Sequence, residues 1–442
     1  MEIKNTYHSI WKISYPIIFG LVAQNILNVI DTAFLGRVSE VALGAGAIGG
    51  LFYFALITIG MGFGIGAQIM IGRKNGEKNF AAIGPIVYHT FFFLSITALM
   101  LFALFNYIAP FFLKSVISSP AIYKGSLEFF EYRIWGILFA FINITFSSFY
   151  IGVVKTRVLT FSTTLMAAIN IILDYCFIFG HWGFPEMGIV GAALSSVIAE
   201  AAVMLFFIIY TLQLKNRSYH LFKFIKLDFT LLKSISKLSI PVMLQYFMSF
   251  SGWFIFFIIV ERISEEALAI SNIIRSIYMV IMIPVWGLST AVNTIVSNVI
   301  GQGRHEDVLP LIKKVVFISI VSAIVMVQGN IFFPRLLISF YTNNPLLIEH
   351  ALPVLNVVTI AMMVFSIAMI LFSSVSGSGN TKITLIFETY AISIYIITAY
   401  LLSEVFHQPI AMVWIVEIIY FLVVGISSYI YLKSKKWQAA DI

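Results

Sequence analysis

The sequence predicts an all-α integral membrane protein, with twelve transmembrane helices in two pseudo-symmetric six-helix lobes. Three observations carry that prediction. Of 442 residues, 60% are apolar or aromatic and only 11% are charged, where an ordinary soluble domain carries roughly 25% charged residues. With a mean hydropathy of +0.98, the chain can be neither a soluble globule nor disordered, so it belongs in lipid. Apolar stretches of the length that crosses a bilayer, about 20 residues, recur along the chain, without the alternation of barrel strands. The second half also repeats the first at a constant offset of 225 residues. Lys12-Ile-Ser-Tyr-Pro16 returns as Lys237-Leu-Ser-Ile-Pro241, and Arg37-Val-Ser-Glu-Val-Ala-Leu43 as Arg262-Ile-Ser-Glu-Glu-Ala-Leu268. The same shift pairs Gly62 with Gly287, Gly76 with Gly301, Gly152 with Gly377, Thr156 with Thr381 and Tyr175 with Tyr400.

Taken in order, span 1 (10–35) holds Pro16 and a polar row, Gln24, Asn28 and Asp31, at spacings of four and three that put them on one helix face. Span 2 (42–71) carries Gly60, Gly62, Gly64 and Gly66, which suit close helix packing, and Gln68, a candidate for a cavity wall with Asn293 as its repeat partner. Span 3 (81–109) contains His89, expected to pack in the core, and span 4 is 127–153. Span 5 (158–180) aligns Thr163, Asn170 and Asp174 on one face, and span 6 (187–213) carries Ser195, Ser196 and Glu200. A basic linker, 214–236, joins the N-terminal lobe (1–213) to the C-terminal lobe (237–442). Spans 7 to 12 follow at 236–260, 267–300, 309–332, 350–376, 382–403 and 409–432. They hold Arg275, Glu388 and Glu417 within them and Glu261 at an outer edge. Estimated depths keep Glu388 and Arg275 apart, and Glu200 and Glu417 are expected to bond neighbouring helices.

Basic residues set the orientation. With a cytoplasmic N-terminus, 20 Lys and Arg fall inside, Lys4 and Lys215 among them, and 6 outside, Arg133 among them. Both termini are therefore expected in the cytoplasm, and this bias accounts for the net charge of +7 without nucleic acid as a partner. No removable signal peptide is expected before span 1. The one cysteine excludes internal disulfides and Cys-based metal sites. The seven histidines show no metal-binding spacing, and the glycines of span 2 lack the Lys-Ser/Thr of a phosphate loop. No Ser-His-Asp arrangement is in evidence either, so an enzyme is not expected.

The halves serve as each other's controls. Positions 24, 28 and 31 become Ser249, Trp253 and Phe256; Thr163, Asn170 and Asp174 become Glu388, Tyr395 and Ala399. The first half thus concentrates carboxylates and carboxamides where the second is mostly apolar or aromatic. Asp31 precedes Gly36 by five residues and Asp174 precedes Gly180 by six. At about 1.5 Å per residue, both carboxylates reach a similar depth in the outer half of the membrane. A charge at the centre costs on the order of 2.5–3.5 kcal/mol on insertion scales, so it usually marks a pathway or coupling site. Two neighbouring carboxylates suit a proton, and the same oxygens with Asn170 could instead ligate Na+.

These residues resemble the multidrug and toxic compound extrusion (MATE) family. The resemblance rests on Pro16…Gln24…Asp31, Gly36-Arg37, Asn170-Ile-Ile-Leu-Asp174 with Phe-Ile-Phe-Gly after it, and Gly188-Ile-Val-Gly-Ala-Ala-Leu-Ser-Ser196, and it spans essentially the whole chain. It points to the DinF-like prokaryotic branch, and implies a cation site at Asp31, Asn170 and Asp174 with Ser196 (or Ser195) from span 6 and with Gln24 and Asn28 beside it. It also implies bending of span 1 at Pro16. Tyr175 stands where the family often has proline, and Ser249 where the NorM-like branch has an acid. Gln68, Thr163, Glu388 and Arg275 remain candidates for the substrate cavity.

The expected function is a secondary active exporter in the bacterial inner membrane. It would expel amphipathic or cationic small molecules from between the lobes by alternating access, as H+ or Na+ enters, with no cofactor and as a monomer. The forty-two Phe and twenty Tyr suit a cavity for flat lipophilic cations. The alternative is a flippase for a lipid-linked saccharide, which needs a basic cavity where the polar set here is acidic and amide.

Overall fold

A computed structural model describes residues 3, 5–213, 217–223 and 225–439. Lys4, Lys215 and linker residues 214, 216 and 224 lie outside the described residues. Among the described residues every regular element is helical. Eleven helices are long and apolar enough to cross a membrane, and a bent pair makes a twelfth. We label them α1 (Tyr7–Val38), α2 (Glu40–Gly76), α3 (Ile83–Val116), α4 (Pro120–Arg133 bent into Gly136–Gly152), α5 (Arg157–Phe179) and α6 (Gly188–Gln213). The second half continues with α7 (Phe229–Ile263), α8 (Glu265–Gly301), α9 (His305–Phe332), α10 (Pro345–Gly377), α11 (Thr381–Tyr400) and α12 (Ile410–Lys433).

The helices outrun the apolar stretches that predict them, because polar caps extend them. Ser39 Oγ accepts from the backbone N–H of Ala42 at 3.0 Å, and Ser264 Oγ from that of Ala267 at 2.9 Å. Glu40 and Glu265 then sit in first turns, where negative charge suits the helix dipole. The repeated Arg-x-Ser-Glu string is thus the start signal of α2 and α8. Span 4 differs from the single straight helix expected at 127–153. It starts at Pro120, with Ser119 as its cap, and turns by 52° between Arg133 and Gly136.

The chain divides into two compact units, residues 19–243 and residues 1–18 with 244–442. The breaks after Ile18 and Met243 are 225 residues apart and each follows a proline, Pro16 or Pro241, by two residues. In the first unit, α2 packs against α7 through glycine. A Cβ on Gly62 would lie 2.6 Å from Met243 Cα, and one on Gly66 2.6 Å from Ser239 Cα. Ser239 Oγ also donates to the carbonyl of Phe63 at 3.0 Å. In the other unit the repeat partner of Gly62 has the same duty, since a Cβ on Gly287 would lie 3.0 Å from Ile18 Cα. The core of that unit is aromatic and aliphatic, built on Phe256, Tyr278, Phe365, Tyr395, Trp414 and Phe421.

Candidate functional site

The unit of residues 19–243 gathers a polar cluster from three helices. Asp31 comes from α1, Asn170 and Asp174 from successive turns of α5, and Ser195 and Ser196 from α6. Asn170 and Asp174 are buried, at 1% and 0% exposure, and Asp31 is half-buried. Assigned by its hydrogen-bond partners, the Asn170 amide points its nitrogen at the two carboxylates. In that orientation Asn170 Nδ2 donates to Asp31 Oδ1 at 3.0 Å and Asp174 Oδ2 at 3.1 Å, while its Oδ1 accepts from Ser196 Oγ at 3.2 Å and Ser196 N at 3.3 Å. Ser195 Oγ donates to the other oxygen of Asp174. The two carboxyl groups thus converge on one amide, an arrangement that suits a proton or another cation between them.

Other sequence candidates lie elsewhere. Gln24 and Asn28 are on the exposed face of α1, and neither side chain forms a hydrogen bond among the described residues. Thr163 Oγ1 donates to the carbonyl of Leu159 at 2.7 Å, and its methyl packs 3.4 Å from where a Cβ on Gly20 would lie. Gln68 is buried at 3% exposure. Pro16 is buried within a continuous α1. Glu388 and Arg275 belong to the other unit. Glu388 accepts from Ser249 and Tyr420, and the Arg275 guanidinium lies 5.4 Å from the ring centroid of Phe257.

Sequence reasoning missed a second polar centre. Arg133, counted among the outer basic residues, lies at the bend of α4 with its side chain only 11% exposed. Its Nη2 and Nη1 donate to Glu200 Oε1 and Oε2 of α6 at 2.6 and 2.9 Å, and its guanidinium lies 3.6 Å from the ring centroid of Tyr53 on α2. Tyr53 OH reaches the same carboxylate at 3.2 and 3.3 Å. Gly136 makes room, since a Cβ there would lie 2.9 Å from Tyr53 OH. An Arg and a Glu in one lobe were visible in the sequence, but their pairing was not.

The MatE family model matches residues 16–176 and again 241–401, so both halves match, displaced by the repeat offset. The chain belongs to the MatE family. This MatE protein is 24% identical to the probable multidrug resistance protein NorM of Thermotoga maritima, over 99% of this chain and 94% of that protein. It is 22% identical to the probable multidrug resistance protein YoeA of Bacillus subtilis, over 93% of this chain and 91% of that one. In fold it is similar to a solved MOP-superfamily transporter from Pyrococcus furiosus, with TM-score 0.89 and 18% identity over 96% of this chain and 95% of the other. The MatE chain is a multi-pass, ion-coupled membrane transporter, not an enzyme.

Proposed function

We propose that this MatE protein is a proton-driven exporter of amphipathic, cationic small molecules, of the DinF-like branch. It would work as a monomer in a bacterial cytoplasmic membrane, with both termini in the cytoplasm. The relatives named as multidrug resistance proteins support the substrate class. The coupling assignment rests on one observation: Asp31 and Asp174, from two helices, converge on the single amide of Asn170, an arrangement of two carboxyl groups that suits a shared proton.

In this reading a proton from outside loads the Asp31–Asp174 pair, with Ser195, Ser196 and Asn170 holding the carboxyl oxygens in place. Gln24 and Asn28 extend the polar face of α1 beyond the pair. Loading the pair replaces repulsion between the two carboxylates with a shared proton and so changes how α1 is held against α5. The helix then rearranges at Pro16, where the ring removes one backbone hydrogen bond, and substrate leaves outward. Gln68, Thr163 and Arg275 are assigned to the substrate path. The test is efflux of a fluorescent lipophilic cation from proteoliposomes under a pH gradient and, separately, a Na+ gradient. Efflux under the pH gradient is expected; efflux under the Na+ gradient alone would overturn proton coupling.

A further inference from the structure

Tyr53 and Tyr278 hold the same place in α2 and α8, helices whose ends, Glu40–Gly76 and Glu265–Gly301, differ by the repeat offset. Each hydroxyl donates to a buried glutamate from the last helix of its half. Tyr53 reaches Glu200 at 3.2 Å, and Tyr278 reaches Glu417 Oε2 at 3.0 Å. The tyrosine is repeated at the offset, whereas the glutamate is not, since Gly425 stands 225 residues after Glu200; the charge balance differs too. Glu200 is met by the guanidinium of Arg133 at 2.6 Å. The residue at the repeat position of Arg133 is Val358 of α10, at 0% exposure. Glu417 instead accepts from a second hydroxyl, Tyr395 OH, at 2.9 Å.

A second carboxyl adjoins it. Glu388, 2% exposed, accepts from Ser249 Oγ at 2.5 Å and Tyr420 OH at 2.8 Å. The rings of Tyr420 and Tyr395 meet edge to face at 5.8 Å, linking the two glutamates. Ser249 is exposed, so this chain of polar groups opens on a face of its unit.

Among the described residues no cation is bonded to this pair from the helices around it. From α7 come Ser249 and Trp253, from α8 Tyr278, from α11 Tyr395, and from α12 Tyr420. From α10 the ring of Phe365 meets Phe421, while Glu349 and His350 are engaged with Arg335 and Glu266. Arg275 of α8 stops one ring away: it lies over Phe257, whose ring is 5.5 Å from that of Trp253.

We propose that Glu388 and Glu417 form a second proton-binding site, in which a proton takes the part that the Arg133 guanidinium plays against Glu200. A proton fits this cage better than a metal ion, because the groups that meet the carboxylates are hydroxyls donating to them, and among the described residues no group of three or more His, Cys, Asp or Glu gathers there. Uptake forms an O–H bond on a glutamate oxygen; release breaks it and returns the proton through the open side at Ser249. The inference rests on the ion-coupled export proposed above, and adds a site in the half of the chain that lacks the Asp31 set.

The experiment is infrared difference spectroscopy of the purified protein in lipid on a pH step, with proton uptake counted by an indicator dye. Acidification is expected to raise a buried carboxylic-acid band. The band should shrink in Glu417→Gln and Glu388→Gln, with a proton fewer taken up for each glutamate removed, and persist in Asp31→Asn. Tyr278→Phe keeps the carboxyl but removes a donor, and should shift the band. An identical band and proton count in wild type and both glutamine variants, with the Tyr278→Phe band unmoved, would overturn the site. Wild-type protein that transports under no ion gradient would instead overturn the export reading and leave this result standing.

Discussion

Arg133→Met tests the buried pair at the bend of α4. Its two hydrogen bonds to Glu200, at 2.6 and 2.9 Å, are bidentate, and the side chains are 11% and 7% exposed. Removing one partner from such a pair leaves an uncompensated buried charge, at a cost of about 3–5 kcal/mol. At about 1.4 kcal/mol per factor of ten, the ratio of folded to unfolded protein falls by at least a hundredfold. Glu200→Gln should cost a similar amount, because Arg133 is then unpaired. The double variant Arg133→Met/Glu200→Met removes both charges, and a volume-matched apolar pair is often neutral or stabilising, so most of the loss should return. The single buried cysteine, Cys176, supplies the assay. Its reaction with a thiol-sensitive dye reports unfolding in detergent as temperature or denaturant rises. Single variants as stable as wild type, or a double variant that loses the sum of both single effects, would refute a coupled ion pair.

Further outcomes follow from other sites. Gly62→Ala should destabilise by about 1–3 kcal/mol through overpacking, since its Cβ meets the Met243 backbone, whereas Gly50→Ala, with nothing within 4 Å, should be neutral or stabilising in the same dye assay. Asn170→Ala removes a donor shared by two carboxylates; bonds to charged groups contribute about 1.5–3 kcal/mol, so gradient-driven efflux should fall about tenfold or more, and an unchanged rate would contradict the assignment. Asp228 caps α7, and the backbone N–H groups of Thr230 and Leu231 hold its carboxyl below the usual carboxylate range. The cap is therefore intact above that range and is lost as pH falls through the depressed folded value, so hydrogen exchange at Thr230 and Leu231 should accelerate at acid pH and stay flat in Asp228→Asn. His89→Phe should loosen the same helix start, because His89 Nε2 accepts from the Asp228 N–H at 2.8 Å while Nδ1 lies 2.7 Å from the Pro85 carbonyl; faster exchange at Asp228 is the expected readout.

The fold was legible because its punctuation is rare in an apolar chain. Pro16 and Pro241 and the Ser-Glu caps of α2 and α8 stand out against interchangeable Ile and Leu, and they reveal the duplication. Asp31, Asn170 and Asp174 were legible for the same reason, since polar residues at helical spacing are conspicuous in lipid-spanning segments. Ser195 and Ser196 could not be separated by sequence, and both touch the cluster: adjacent helical residues diverge by about 100°, and α6 presents one to Asp174 and the other to Asn170. The Arg133–Glu200 pair joins helices 67 residues apart, through a bend that span length alone did not reveal. Glu417 looked isolated because its partners Tyr278 and Tyr395 are ordinary membrane aromatics until the fold turns their hydroxyls inward.

The most direct test of the coupling claim compares wild type with Asp31→Asn and Asp174→Asn in proteoliposomes, measuring a lipophilic cation moved by an imposed pH gradient and, in parallel, its exchange without a gradient. Both variants should lose gradient-driven movement while still exchanging substrate. Gradient-driven efflux at the wild-type rate in either variant would contradict the account.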